Sequence, residues 1–241
     1  MKPKSDNLFH FTKNIEFLKN ILANGLLPRY CLEDSRWLEV DRNFIAYPMI
    51  CFCDIPISRI SEHTDFYGQY GIGLTKNWGL TNKLTPVIYA PQGSAAIRIS
   101  DFLFSLDYEG QPEHKQKNNK TADHIYELIS LIKPLSGQMN IGGTIIEKDF
   151  YQENEWRFIP SNADIIFDDE FTERRDNANL QMEKHRLQIA PQDIRYIFVK
   201  NDHEIPALVD FINVHLGHFP HNDLKLLTTR ILSIETISTD I

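Results

Sequence analysis

The sequence predicts an α+β fold, with short strands surrounding intervening helices. Runs rich in branched and aromatic residues, among them MICFCDI, YGIGLT and IRYIFV, recur along the 241 residues and read as strands. Amphipathic helical stretches fall between them without the regular strand-helix alternation of a doubly wound parallel sheet. Neither G-x-G-x-x-G nor a Walker A sequence occurs, so the two commonest phosphate cradles are absent.

Leu8–Phe11 is a short apolar entry strand. Lys13–Asn24 then sets Ile15, Phe17, Leu18, Ile21 and Leu22 at helical spacing, with Thr12 as candidate N-cap and Gly25 as stop. A mixed loop runs through Arg29 and Trp37 to a second strand over Pro48–Ile55. SRISEHTDFYGQ reads as helix and turn, and Tyr70–Thr75 as a third strand. There Gly71 and Gly73 clear one face for close approach of another backbone or a ligand. After a strand at Pro86–Ala90, helices over Ala95–Leu106 and Ala122–Leu135 flank the polar tract Glu109–Lys120, the best loop or disorder candidate. Strands return at Gly143–Ile146, Trp156–Ile159 and Ile194–Val199, followed by a helix over Glu204–Leu216 and a closing strand near Leu226–Ser233. Asp164–Arg175 is dense in charge and reads as exposed. With no internal repeat, residues 1–241 form a single domain with a helical insertion near 93–140.

Composition excludes several classes. No apolar run reaches the roughly 18 residues of a membrane span, and MKPKSDNLFHF lacks the apolar stretch of a signal peptide, so a cytoplasmic protein is expected. A net charge of −8 disfavours broad clamping of nucleic acid while leaving room for a local basic site. Cys31, Cys51 and Cys53 suit reduced thiols. The Cys51–Cys53 pair reads as core packing, because no Cys/His set with zinc-like spacing accompanies it and no metal site is expected.

The most informative motif is YQENEWRFIP at Tyr151–Pro160. Residues at i and i+2 of an extended chain share a face, so Glu153 and Glu155 project together beside the start of a strand. A polar cleft that uses a carboxylate to orient a hydroxyl or stabilise a cation tolerates that repulsion. A solvated strand entrance with Arg157 screening both charges is the other reading.

LFHFTKNIEFLKNILANGLLPR, MICFCDIPISRISEHTDFYGQYGIGLTKNWG, PVIYA and ENEWRFIP, in this order, resemble the AbiGi family of phage abortive-infection proteins over most of the chain. That family is commonly labelled an antitoxin. The opening block also resembles the first strand and helix of DarT-type nucleic-acid ADP-ribosyltransferases and of RNA 2′-phosphotransferases. The second resemblance implies a split mixed β-sheet core of ADP-ribosyltransferase type, with NAD as ADP-ribose donor. It places His10 against the NAD ribose, Tyr67 or Tyr70 against nicotinamide, and Glu155 on a ribose hydroxyl, stabilising oxocarbenium character. Glu153 would orient or deprotonate the acceptor, and Arg29 would meet a phosphate. Each has a plainer alternative: a packed His10, packed tyrosines and a solvated Arg29. The chain lacks an S-T-S signature on its second strand, and the spacing from Tyr70 to Glu155 is long.

Two functions follow from these resemblances. One is an NAD-dependent ADP-ribosyltransferase acting as a phage-defence toxin on single-stranded RNA or DNA and paired with a cognate antitoxin. The other is a noncatalytic antitoxin or regulatory protein that binds a partner, such as a cognate toxin.

Overall fold

The computed structural model describes residues 5–38, 43–108, 120–141, 144–161 and 163–240. Most of the tract Glu109–Lys120, and Gly143 at the head of an expected strand, lie outside them.

β1 (Asn7–Thr12) turns into α1 (Ile15–Asn24), whose N-cap is Asn14 rather than Thr12. Asn14 Oδ1 accepts the Phe17 N–H at 2.9 Å, filling an orphan donor of the first turn. Gly25 ends the helix at φ 86°, a conformation that costs a side-chain-bearing residue more. The expected loop at Arg29 is instead a strand, β2 (Arg29–Asp34), antiparallel to the long β3 (Phe44–Cys53). Its alternation was hidden because Arg29, Cys31 and Glu33, paired with Met49, Tyr47 and Ile45, present polar groups on their face.

α2 (Ile60–Tyr67) and β4 (Tyr70–Thr75) stand as expected, followed by α3 (Lys76–Thr81). At Gly73 a Cβ would lie 2.8 Å from the Phe9 ring, and at Gly71 2.7 Å from the Phe11 ring. Aromatic side chains of the neighbouring strand therefore claim the space that the glycines clear.

β5 (Thr85–Pro86) and β6 (Ile88–Ala90) precede α4 (Ala95–Tyr108) and α5 (Lys120–Ile129). α5 stops short of Leu135 because Ile132–Pro134 (β7) pairs in parallel with β6. β8 (Ser136–Ile141) and β9 (Thr144–Asp149) then pair antiparallel as a hairpin that, among the described residues, joins no other strand. β10 (Glu155–Phe158), β11 (Ile166–Phe167) and the mostly exposed α6 (Asp168–Gln181) follow. The chain closes through β12 (Ile194–Val199), α7 (Ile205–His215), α8 (His221–Thr228), β13 (Ile231–Ser233) and α9 (Ile234–Asp240). The closing strand is thus only three residues, since Leu224 and Leu227 are buried on a helix instead.

These strands give a mixed sheet in the order β13-β12-β4-β1-β3-β10-β5, with β2 and β11 also on β3. Within it the β12–β13 pair is parallel, and the other pairs are antiparallel. Leu8, Ile72, Leu74, Ile197, Leu208 and Ile212 are all fully buried in the main core. Each contributes about 1.5–3 kcal/mol of transfer free energy. The sheet parts at one place: β1 pairs with β4 from Asn7 to Thr12 but meets β3 only at Phe9↔Cys53. β2 covers Phe44–Met49 of β3, so between the two strands lies a stretch of β3 from Ile50 to Phe52 with β10 on one side and an opening on the other.

Candidate functional site

A cavity of about 1310 Å³ occupies that parting. Its walls include Ile50 and Phe52 from one face of β3 and Cys51 and Cys53 from the other, with α1 and α2 flanking. His10, Tyr67, Arg29, Glu153 and Glu155 all line it. Tyr70 does not; its phenol donates to Glu204 Oε1 at 2.8 Å and its ring packs on the main core, because the start of β4 faces the turn before α7. Arg29 is exposed at the head of β2.

His10 has an architectural role at this point. Its Nδ1 lies 2.8 Å from the Cys51 carbonyl, so a side chain satisfies a β3 acceptor where β1 has moved away. That bond assigns the proton to Nδ1 and leaves Nε2 as the acceptor of a neutral imidazole. Burial lowers its pKa and outweighs the carbonyl, which acts in the opposite direction. His63 on α2 packs tilted against Tyr67 with centroids 4.5 Å apart, and burial lowers its pKa to about 4 despite the nearby Glu153.

The two glutamates reach the cavity by different routes. Glu155 opens β10, opposite Cys53, with Arg157 two residues on and opposite Cys51. Glu153 ends a 3-10 turn, and Asn154 between them adopts a left-handed conformation at φ 45°. The pair is therefore not one extended stretch, and neither member is solvated: each is 5% exposed.

Cations of the chain itself surround both. Arg157, 1% exposed, donates Nε to Glu155 Oε1 at 2.8 Å and Nη2 to Oε2 at 3.1 Å, and also reaches Glu33 at 2.8 Å and the Ser130 carbonyl at 2.6 Å. Lys133 of β7 lies 3.1 Å from Glu155 and 3.5 Å from Glu153. Lys148 of β9 lies 2.5 Å from Glu153 Oε1, which the Tyr67 phenol also contacts. Three carboxylates thus face three cations. Burial pushes the Glu155 carboxyl up, but Arg157 and Lys133 outweigh it and hold its pKa well below the ordinary range. Burial likewise opposes Lys133 and Lys148 at Glu153, and the lysines prevail. On Lys133 the carboxylates overcome desolvation and raise its pKa.

Sequence reasoning found the glutamates but not Glu33, His63, Lys133 or Lys148. Arg157 screens Glu155, yet Glu153 is served by lysines 20 and 5 residues upstream in sequence. Nothing local in LIKPL or IEKDF marks those lysines. Among the described residues no group of three His, Cys, Asp or Glu could hold a metal ion, and no helix is long and apolar enough to cross a membrane.

Residues 24–200 match the family model described as "Putative abortive phage resistance protein AbiGi, antitoxin". The chain belongs to the AbiGi family. It is 28% identical over 247 aligned residues to the abortive phage resistance protein AbiGi of Lactococcus lactis subsp. cremoris, a match spanning 90% of this chain and 99% of that protein. No solved structure matches significantly. The AbiGi segment runs from the end of α1 through β12 and so contains the whole charge cluster, whereas His10 lies before it.

Proposed function

We propose that this AbiGi-family chain serves in phage defence as an antitoxin-type component that acts by binding a partner protein, a cognate toxin, and that its cavity does not carry out ADP-ribosyl transfer. One observation carries this reading: all four carboxylate oxygens of Glu153 and Glu155 already face donors from the chain itself. A transferase glutamate must turn a free, ionised oxygen to a ribose hydroxyl and to the positive charge developing beside it. Here that charge is spent on Arg157 and Lys133, and the residues present do not fit the expected role toward NAD. The antitoxin description of the family points the same way.

The test is twofold. Expressed alone in a bacterial host, the chain should leave growth unchanged; purified and incubated with labelled NAD and separate RNA, DNA and protein fractions, it should transfer no label. Growth arrest by the chain alone, together with transfer that Glu155→Gln abolishes, overturns the reading.

A second reading is supported by the way His10, Tyr67, Glu153 and Glu155 line one cavity. On this reading the chain is an NAD-dependent ADP-ribosyltransferase that modifies single-stranded RNA or DNA. His10→Ala would then weaken NAD binding in protein that still folds, beside the stability lost with its bond to the Cys51 carbonyl.

A further inference from the structure

The two carboxylates are neutralised by elements of unequal attachment. Glu155 is held by Arg157, on its own strand in the nine-stranded sheet, and by Lys133, on a β7 that pairs with β6. Tyr89 of β6 is itself fastened to β10, its hydroxyl accepting the Glu155 N–H at 2.9 Å. Glu153 shares Lys133, but its closer cation, Lys148, belongs to the β8–β9 hairpin, which pairs with no other strand among the described residues. We propose that this hairpin is a latch: Lys148 pins it over the cavity, and its release unmasks Glu153 and Tyr67 to whatever enters.

The seat of Lys148 has the chemistry of a clasp. The ammonium lies 4.1 Å from the Phe66 ring centroid and 4.3 Å from that of Tyr67, 3.1 Å from the Tyr67 hydroxyl and 2.5 Å from Glu153. Two ring faces and a carboxylate form a site for one ammonium group. Both Tyr67 and Glu153 line the cavity, as do Ser136, Gly137, Gln138 and Glu147 of the hairpin. The hairpin therefore walls the cavity on one side while its fastening sits on the cavity's own surface. An unpaired two-stranded hairpin is marginal in water, so one multiply held lysine is a large share of what keeps it docked. When Lys148 leaves, Glu153 retains Lys133 at 3.5 Å and gains room for an incoming donor, while Glu155 keeps both of its cations. The latch goes beyond the partner-binding reading and does not rest on it.

Hydrogen exchange on the full chain tests it. Lys148→Met keeps the apolar stem and removes the charge; Lys148→Arg keeps a cation. In Lys148→Met the amides of residues 136–138 and 146–149 should exchange about tenfold faster, those of β3 and β10 should stay at the wild-type rate, and Lys148→Arg should restore most protection. Labelling of the cavity-lining Cys51 by N-ethylmaleimide should accelerate in parallel. Unchanged hairpin exchange in Lys148→Met overturns the latch. So does equal acceleration in β3 and β10, which would make Lys148 part of the core. Faster hairpin exchange with unchanged Cys51 labelling overturns the unmasking. None of these readouts involves NAD or a partner, so failure of the functional reading and failure of the latch are separable.

Discussion

The half of the sheet from β13 to β1 and the half from β3 to β5 solve burial by different physics. In the first, Leu8, Ile72, Leu74 and Ile197 are fully enclosed by apolar neighbours on α1, α3, α7 and α8. In the second, Arg157, Glu155 and Glu153 are almost equally inaccessible, and each survives there only because opposite charges meet it. Apolar burial is forgiving, since one smaller side chain costs a share of the contact area. A buried ionic network is not, because removing one member leaves its partners desolvated and unpaired.

That contrast predicts the largest effect at Arg157. Arg157→Ala should destabilise the fold by about 3–5 kcal/mol, because Glu155 loses two hydrogen bonds and Glu33 loses its ion-pair partner. Replacing Glu155 together with the arginine, as Arg157→Met with Glu155→Gln, should recover a large part of that loss. Urea unfolding of the single and double variants measures this. If the double variant is as unstable as the sum of its parts, the cluster is not the coupled network that the distances describe.

The same contrast explains what the sequence disclosed. α1 and β12 were legible because apolar burial writes itself into the chain: Leu18, Ile21 and Leu22 on one face of the helix, and the continuous run Ile197 to Val199 on a strand buried on both faces. The YQENEWRFIP motif marked the charged half through the i, i+2 glutamates, although Asn154 breaks the extended geometry that the spacing suggested. β2 escaped notice because its cavity face is polar. Lys133, Lys148 and Glu33 escaped because electrostatic partners need no fixed sequence separation, and only the tertiary fold brings β2, β7, β9 and β10 together. His10 stood on the expected strand, yet its bond to the Cys51 carbonyl depends on where β1 and β3 part, which no local pattern records.

The border between the halves should show a pH dependence. His63 packs on Phe11 of β1 and Tyr67 beside the cluster, and burial takes its pKa from an ordinary 6.5 to about 4. Between those values the unfolded chain holds a proton there that the folded chain lacks, so stability falls as pH drops from 6.5 toward 4, by up to about 3 kcal/mol. The depressed Glu153 and Glu155 add a further loss only below the ordinary carboxylate pKa of 4.5. His10, whose pKa burial also lowers, contributes in the same window, so His63→Phe should reduce the slope of the upper part of the curve and leave the lower part intact. Parallel curves for variant and wild type between pH 6.5 and 4.5 would count against a neutral, buried His63.

The smallest effect belongs to the apolar half and calibrates the others. Asn14→Ala removes the oxygen that accepts the Phe17 N–H at 2.9 Å, so one orphan donor of α1 must turn to water. Capping losses of this kind cost about 1 kcal/mol. Asn14 is exposed and uncharged, and α1 meets the main core through Leu18, Ile21 and Leu22. The loss should therefore be the same at pH 5 and pH 7, in low salt and high, whereas that of Arg157→Ala should depend on the ionisation of its carboxylate partners. Thermal melts across that grid separate the two behaviours. A pH-dependent cost at Asn14 would mean that α1 is coupled to the charge cluster across the cavity, and that the two halves are less independent than their packing suggests.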